Sequence, residues 1–337
     1  MENRQRPGIK APPRSMIDSS ITGRRLTSRA GSPILMIGAF ILDKPEGMTS
    51  HDVVDRVRRV LRTRRIGHIG TLDPFATGVL VVCVGRATRL AQFLVHLDKE
   101  YDATVRLGFA TDTQDRTGEQ ITPLAASNAV SNDDVDRMLN EFMGPQLQTP
   151  PMFSAKKVAG ERLYKAAREG REVERKAVPV IVRSIELLGA LSDQPDGTRD
   201  FKVRVTCSSG TYVRTLAHDI GERLGVGAHL AALRRNAVGH FFIAHALTLE
   251  ALETKQEQGI LTQEIVSPAE MLAHLPAVNL SPADGERILN GRPVDVTLDD
   301  VGLPVRICDR EGSLIAVGQY EGAGHSLKPR MVLAEGD

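Results

Sequence analysis

Tryptophan is absent, and aromatic residues make up only 4% of the 337, so the cores must be packed mainly from aliphatic side chains. Cysteine is scarce too: Cys83, Cys207 and Cys308 are isolated, share no CxxC spacing, and fall in or near apolar runs. That pattern argues against a disulfide framework and a structural zinc, and it is expected of a reduced, cytoplasmic protein. No apolar run approaches the roughly 20 residues that a bilayer-crossing helix needs. An excess of either charge is missing as well. Lysine and arginine number 43 against 42 acids, a formal net charge of +1, so any affinity for nucleic acid must rest on local clusters. What is present, 41% hydrophobic residues over this length, suffices for cores in about two domains.

Residues 1–35 are a different material, with Arg4, Arg6, Lys10, Arg14, Arg24, Arg25 and Arg29 set against Glu2 and Asp18 among proline, serine and glycine. Such a segment buries too little to offset its ordering entropy and is expected to be a disordered basic arm. Arg24-Arg25 lacks the apolar stretch of an export signal; the arm is either a solvated tail, or the product of an upstream start codon ahead of Met36, or an RNA-touching arm.

Order is expected from Gly38. Ala39–Leu42 reads as a strand leaving through a Lys-Pro-Glu-Gly turn. Thr49 or Ser50 then caps a helix, with Asp52 as box partner and Val53, Val54, Val57, Val60 and Leu61 on its apolar stripe. Opposite that stripe stand Arg56, Arg58, Arg59, Arg62, Arg64 and Arg65, either a solvated face or a phosphate-tracking surface. Val79–Val84 is a buried strand, Ala87–Leu97 a helix, Tyr101–Leu107 a half-buried strand by its alternation, and 111–123 a turn-rich loop. Ser131–Phe142 is a capped helix stopped by Gly144-Pro145. A helical patch is expected around Leu163–Arg168, strands at Val178–Leu188 and Phe201–Cys207, and a helix through Leu216, Ile220 and Leu224 ending at Gly225. Without regular βαβ alternation the fold class is α+β. Beyond residue 276 the texture turns to short strands, with a hairpin around Asp309–Gly312.

The nine histidines are scattered without HExxH or paired-ligand spacing, which disfavours metal catalysis. No GxSxG elbow, GK[ST] terminus or GxGxxG is present. What remains is Asp73, in GHIGTLDPFATGVL, set in a turn at the doorstep of a buried strand. It is either a turn aspartate capping nearby amides, or a carboxylate nucleophile or base activated by position rather than by an unusual pKa. The second role needs a cation to keep it ionised and a platform for its substrate. CSSGTYVRTLAHDIGERLGVGAHLAALRR offers both in Tyr212 and Arg214, which share a face if that segment is extended. Tyr212 as a core aromatic and Arg214 as a surface charge remain the alternatives.

These two stretches, with LDKPEGMTSHDVV before them and QTPPMFSAKKVAGERLYKAAREG between them, resemble in order the bacterial TruB family of tRNA pseudouridine synthases. The likeness runs from about Gly38 to Leu247, and NGRPV and LKPRMVL resemble the family's PUA-type RNA-binding module. It implies a largely antiparallel mixed sheet with flanking helices in residues 36–275, an RNA-gripping insertion at about 150–176, and a mostly β module at 276–337. It implies an isomerase that converts uridine 55 in the tRNA T-loop to pseudouridine, without metal or organic cofactor, as a monomer needing no protein partner or membrane. By residue-for-residue matching, Asp73 would be catalytic and Arg214 would pair with it. Tyr101 would stack on the extruded uracil, and Tyr212 would contact base or sugar and accept a proton later. Leu233 would line the base pocket and His68 would shape the vacated space in the T-loop. Phe75 departs from the aliphatic residue expected of the family, which bears on packing rather than chemistry. Two other readings remain open, a non-catalytic tRNA-binding or folding protein and the catalytic subunit of a guide-RNA particle.

Overall fold

The computed structural model describes residues 36–154, 157–158, 161–162, 169, 171, 173–298, 304–321 and 325–333. The basic arm at 1–35 and the helical patch at 163–168 lie outside them, as does much of the 150–176 insertion.

A ten-stranded mixed sheet forms the body. Its strands are β1 (Gly38–Lys44), β2 (Ile66–Ile69), β3 (Thr77–Val84), β4 (Lys99–Leu107), β5 (Gly144–Gln148), β8 (Val178–Leu187), β9 (Ser192–Asp193), β10 (Arg199–Cys207), β11 (Ala228–Val238) and β12 (Phe241–Phe242). Between β5 and β8 lies the short pair β6 (Lys157–Val158) and β7 (Glu161–Arg162). The main path runs β1-β3-β11-β4-β10-β8-β5, with β2 on β3, β9 on β10 and β12 on β11. All pairings are antiparallel except β3 with β11, so the sheet is α+β rather than doubly wound.

Along β4 the alternation is strict: Tyr101, Ala103, Val105 and Leu107 are buried and the residues between them half-buried. The inward set packs on α3 (Asn132–Glu141) and α4 (Val213–Arg223) through Val135, Leu139, Leu216 and Ile220. Helix α1 (Ser50–Leu61) begins with a reciprocal capping box. The Thr49 hydroxyl accepts from the Asp52 amide at 3.1 Å, and the Thr49 amide donates to the Asp52 carboxylate at 2.8 Å.

One expected helix is shorter than its pattern. Residues 87–97 form a 3-10 turn, Gly85–Leu90, and a single α-turn, α2 (Ala91–Leu94). The buried Lys99 ammonium donates to the carbonyls of Val95 and Leu97, drawing them away from a continuing helical ladder.

The second sheet contains β13 (Ala277–Asn279), β14 (Val294–Asp295), β15 (Pro304–Cys308), β16 (Leu314–Glu321) and β17 (Ser326–Val332), ordered β13-β15-β16-β17-β14. The expected hairpin is the β15–β16 turn, closed where the Ser313 amide donates to the Asp309 carboxylate at 2.8 Å, with Gly312 at φ +84°. This sheet docks on the body through an apolar seam joining Leu90, Leu94 and Met271 to Cys308, Val317, Met331 and Leu333.

At Gly78 the backbone has φ +102°, and a β-carbon there would stand 2.2 Å from the carbonyl oxygen of Arg235. Gly78→Ala is therefore expected to cost at least about 3 kcal/mol, from main-chain strain plus forced separation of β3 and β11. Urea unfolding at neutral pH measures this, and a loss below 1 kcal/mol would contradict the close packing.

Candidate active site

Strands β2 and β11 pair with the same edge of β3: Ile66–Ile69 lie against Val84–Val81, and Arg234–Arg235 against Thr77–Gly78. Where β2 stops and β11 begins, the chain leaves the sheet and returns. Residues 70–76 make that excursion and carry Asp73.

The excursion is pinned at Gly70, Leu72 and Pro74. Ser50, first residue of α1, accepts from the Leu72 amide at 2.9 Å and donates to its carbonyl at 3.2 Å. The Lys44 ammonium, fully buried, donates to the carbonyls of Pro45, Met48 and Pro74 at 2.8, 2.6 and 3.2 Å. Gly47 donates its amide to Pro74 as well. The Arg235 guanidinium, buried behind the turn, ties its two ends together by donating to Gly70 and Val79 carbonyls, each at 2.7 Å. Burial holds the Lys44 ammonium down at about pKa 8, against the opposing pull of Asp73 and Glu46. A glycine is needed at 70, where φ is +68° and a β-carbon would press on the Arg235 guanidinium at 3.2 Å.

Held this way, Asp73 faces Arg214. Arg214 Nε lies 2.9 Å from Asp73 Oδ2 in an ion pair, and Nη2 donates to Oδ1 at 3.4 Å. Nη1 donates to Asp115 Oδ2 at 3.2 Å and to the Thr113 carbonyl at 3.1 Å, and Nη2 also donates to the Phe153 carbonyl at 2.9 Å. The two terminal nitrogens thereby donate to four acceptors, and Nε faces a fifth, Asp73 Oδ2, in an ion pair. Arg214 is neither surface charge nor substrate clamp; it is an internal counter-ion with its orientation fixed. Its side chain is 6% exposed and that of Asp73 35%, so the carboxylate is the member of the pair that reaches the surface. Among the described residues the carboxylate's hydrogen-bond partner is this guanidinium rather than main-chain amides. Burial raises the Asp73 pKa, with Asp115 adding to the rise and Arg214 and Lys44 opposing it. Position alone is therefore not what distinguishes this acid.

The expectation that Tyr212 and Arg214 share an extended face is corrected. Tyr212 is the N-cap residue of α4, and Arg214 lies in the first turn of that helix. Gln148 fixes the cap: its side-chain amide donates to the Tyr212 carbonyl at 3.0 Å and accepts from the Tyr212 amide at 2.8 Å. The Tyr212 side chain is left half-buried rather than sunk in the core.

Tyr101 and Leu233 do come together. Opposite each other in the β4–β11 ladder stand Tyr101 with Arg235 and Ala103 with Leu233, on a face shared with Leu72 and Phe75 from the Asp73 turn. Burial raises the Tyr101 phenol pKa. His68 precedes the turn on β2; burial and the Arg235 charge depress its pKa, and its Nδ1 is buried with no partner among the described residues. Phe75 is buried and carries the Arg116 guanidinium 5.8 Å above its ring.

Sequence reasoning missed Asp115, Lys44, Gln148 and Arg235. Asp115 had a signal: in Thr113-Gln-Asp-Arg-Thr117 the flanking hydroxyls donate to its carboxylate at 2.8 and 2.6 Å, which orders a loop read only as turn-rich.

Residues 58–213 match the TruB family pseudouridylate synthase N-terminal domain, 214–273 the tRNA pseudouridylate synthase B C-terminal domain, and 276–333 the pseudouridine synthase II TruB C-terminal domain. The chain belongs to the TruB family of pseudouridylate synthases. A tRNA pseudouridine synthase B of Bacillus velezensis is 39% identical over 88% of this chain and 98% of its own length. One from Heliobacterium modesticaldum is 48% identical over 74% and 78%. Among solved structures, an H/ACA RNP bound to a substrate RNA containing 2′-deoxyuridine is 26% identical, with TM-score 0.68 over 89% of this chain and 86% of that one.

Because Asp115 orients Arg214 rather than touching the cleft, Asp115→Asn in this TruB member should act on rate more than on binding. A misaligned counter-ion is expected to lower the single-turnover rate constant about 100-fold, with RNA affinity changed less than threefold. Equal rates in variant and wild type would remove Asp115 from the positioning machinery.

Proposed function

We propose that this chain converts the uridine at position 55 of the tRNA T-loop to pseudouridine, with Asp73 as its catalytic carboxylate. The observation that carries the reading is a partly exposed carboxylate on a pinned turn, paired to a buried guanidinium that a second carboxylate and two main-chain carbonyls hold in place. The relatives' shared name, tRNA pseudouridine synthase B, supplies the reaction and the RNA class. Those relatives are also nearer in sequence than the H/ACA structure, which favours a chain acting on tRNA unaided over a guide-RNA subunit.

A uridine in a stacked loop hides its glycosidic bond, and flipping it out costs a few kcal/mol. Stacking on Tyr101, with Leu233 beside it, returns about 1–3 kcal/mol. His68, half-buried on β2 just before the turn and neutral through its depressed pKa, shapes the space that the uridine leaves in the loop. The N1–C1′ bond then breaks with its electron pair departing on uracil. Ionised Asp73 serves either as nucleophile at C1′ or as base at C2′, and both demand a fixed, unprotonated carboxylate. The detached uracil turns and C5 bonds to C1′, displacing the Asp73 oxygen in the first route or, in the second, adding to the glycal as Asp73 returns its proton to C2′. The C5 proton is then lost, with Tyr212 as its acceptor directly or through water, and N1 gains one. No step requires a metal or organic cofactor.

The body at residues 36–275 is assigned the catalysis, with the insertion at about 150–176 gripping RNA. The module at 276–337 is assigned as a PUA-like RNA-binding domain, and 1–35 as a basic extension. Among the described residues no helix is long and apolar enough to cross a membrane; a cytoplasmic monomer acting on tRNA fits the reading.

Asp73→Asn should abolish pseudouridine formation on a T-stem-loop transcript while leaving binding intact, as read by chemical pseudouridine mapping beside a filter-binding assay. Near wild-type turnover in the variant would overturn the assignment. Since burial lifts the Asp73 pKa above its ordinary 3.8 and the ionised form is the active one, rate should be full at neutral pH and fall as pH drops through that raised value. Single-turnover rates that stay flat down to pH 4 would contradict it.

A further inference from the structure

Three consecutive side chains of the loop at 111–119 reach different parts of the site. Gln114 Oε1 accepts from the hydroxyl of Thr215, in the first turn of α4, at 2.8 Å. Asp115 holds Arg214 on the same helix. Arg116 contacts the other half: its Nη2 donates to the Glu46 carboxylate, and its guanidinium stands 5.8 Å over the Phe75 ring. Glu46 belongs to the turn that Lys44 and Gly47 bond to the Pro74 carbonyl, and Phe75 is two residues past Asp73. One part of the loop thus grips the helix that carries Arg214, and the next residue grips the turn that carries Asp73.

The loop's own bonds leave this last connection to Arg116. Its main chain is fixed to β11 on both sides of Asp115: the Arg116 amide donates to the Leu230 carbonyl and the Leu230 amide to the Gln114 carbonyl, each at 3.0 Å. The Thr111 hydroxyl donates to the Asp115 carbonyl at 2.7 Å, and the Thr117 amide to the Asp115 carboxylate at 2.9 Å. Gln114 lies in the left-handed region at φ +64°, a conformation that a residue with a β-carbon seldom takes unless its surroundings hold it. These bonds tie the loop to itself, to β11 and to α4. None of them reaches the Asp73 turn.

A solvent-facing ion pair usually adds little, and this one leaves the side chains of Arg116 and Glu46 39% and 58% exposed. What sets it apart is the buried ring beneath it, so that the guanidinium meets the turn through a charge contact and a ring contact at once. Glu46, Phe75 and Arg116 also line a cavity of about 260 Å³ together with Leu233. A phosphate contact is therefore the competing role for Arg116, and it makes a different prediction: a phosphate ligand acts on affinity and its salt dependence, whereas a residue that aligns other groups acts on rate.

We propose that Arg116 is a positioning residue, a clasp on Glu46 and Phe75 that holds the Asp115 loop to the Asp73 turn and so keeps Arg214 aligned on the catalytic carboxylate. This rests on the catalytic reading of Asp73 above. The test compares Arg116→Met with Arg116→Lys, which retains a charge for both contacts, after melting temperatures have shown both variants folded. Three quantities are read: the single-turnover rate at saturating T-stem-loop RNA, RNA affinity across a salt series, and amide hydrogen exchange of residues 112–118. Losing both contacts in Arg116→Met should slow isomerisation about tenfold, with affinity changed less than about threefold and the salt slope unaltered. Exchange of the loop should quicken by about the same tenfold, and Arg116→Lys should stay within about threefold of wild type in rate and exchange. Unchanged exchange in Arg116→Met would overturn the proposal whatever the rate, and so would an equal loss in both variants. A full rate at saturating RNA, with weaker binding and a salt slope lowered by about one, would overturn it too and make Arg116 a phosphate ligand. Should the wild-type chain form no pseudouridine, the catalytic reading falls, and the exchange rates alone decide whether the clasp exists.

Discussion

The structure turns on one guanidinium. Arg214 is held by Asp73, Asp115 and two carbonyls, so a charge that would be costly to bury alone becomes a fixed electrostatic reference for Asp73. Asp115 is the less visible half of the arrangement. A cation bonded only to Asp73 could swing toward an incoming phosphate; a cation held from behind by a second buried carboxylate stays aligned.

A second set of buried cations supports the turn rather than the carboxylate. Arg235 donates to the carbonyls of Gly70 and Val79, on either side of the β2–β11 break, and Lys44 ties the Pro74 carbonyl to those of Pro45 and Met48 in the turn before α1. The break in the sheet creates the site, and the cations that fill it make the site rigid. Leu233 lies on β11, which borders that gap, and Tyr101 on β4, the next strand of the sheet, and both share the apolar cluster of Leu72 and Phe75.

Much of this was legible in the sequence. Period-2 alternation found β4, the Thr49–Asp52 spacing found the α1 cap, and the Asp-Pro turn before a buried strand singled out Asp73. Resemblance added Arg214 as its partner, which the geometry places in direct contact. What stayed hidden acts through the backbone. Lys44 sits in a Lys-Pro-Glu-Gly turn that reads as surface, and nothing local shows that three carbonyls converge on it from sites up to thirty residues away. Gln148 and Arg235 likewise bond main-chain atoms, which have no identity in a sequence. The Tyr212–Arg214 segment was misread as extended because a tyrosine is a poor N-cap. Here Gln148, from a distant strand, supplies the hydrogen bonds that a capping side chain would otherwise make.

The account's central claim is that an ionised Asp73, aligned by Arg214, meets the sugar of an extruded uridine. A crystal structure of the Asp73→Asn protein bound to a T-stem-loop RNA tests it most directly. It should show the target uridine flipped out and stacked on Tyr101, with ribose C1′ or C2′ about 3–3.5 Å from the side-chain oxygen at position 73. A uridine still stacked within the loop, or a sugar held well beyond reach of that oxygen, would contradict it.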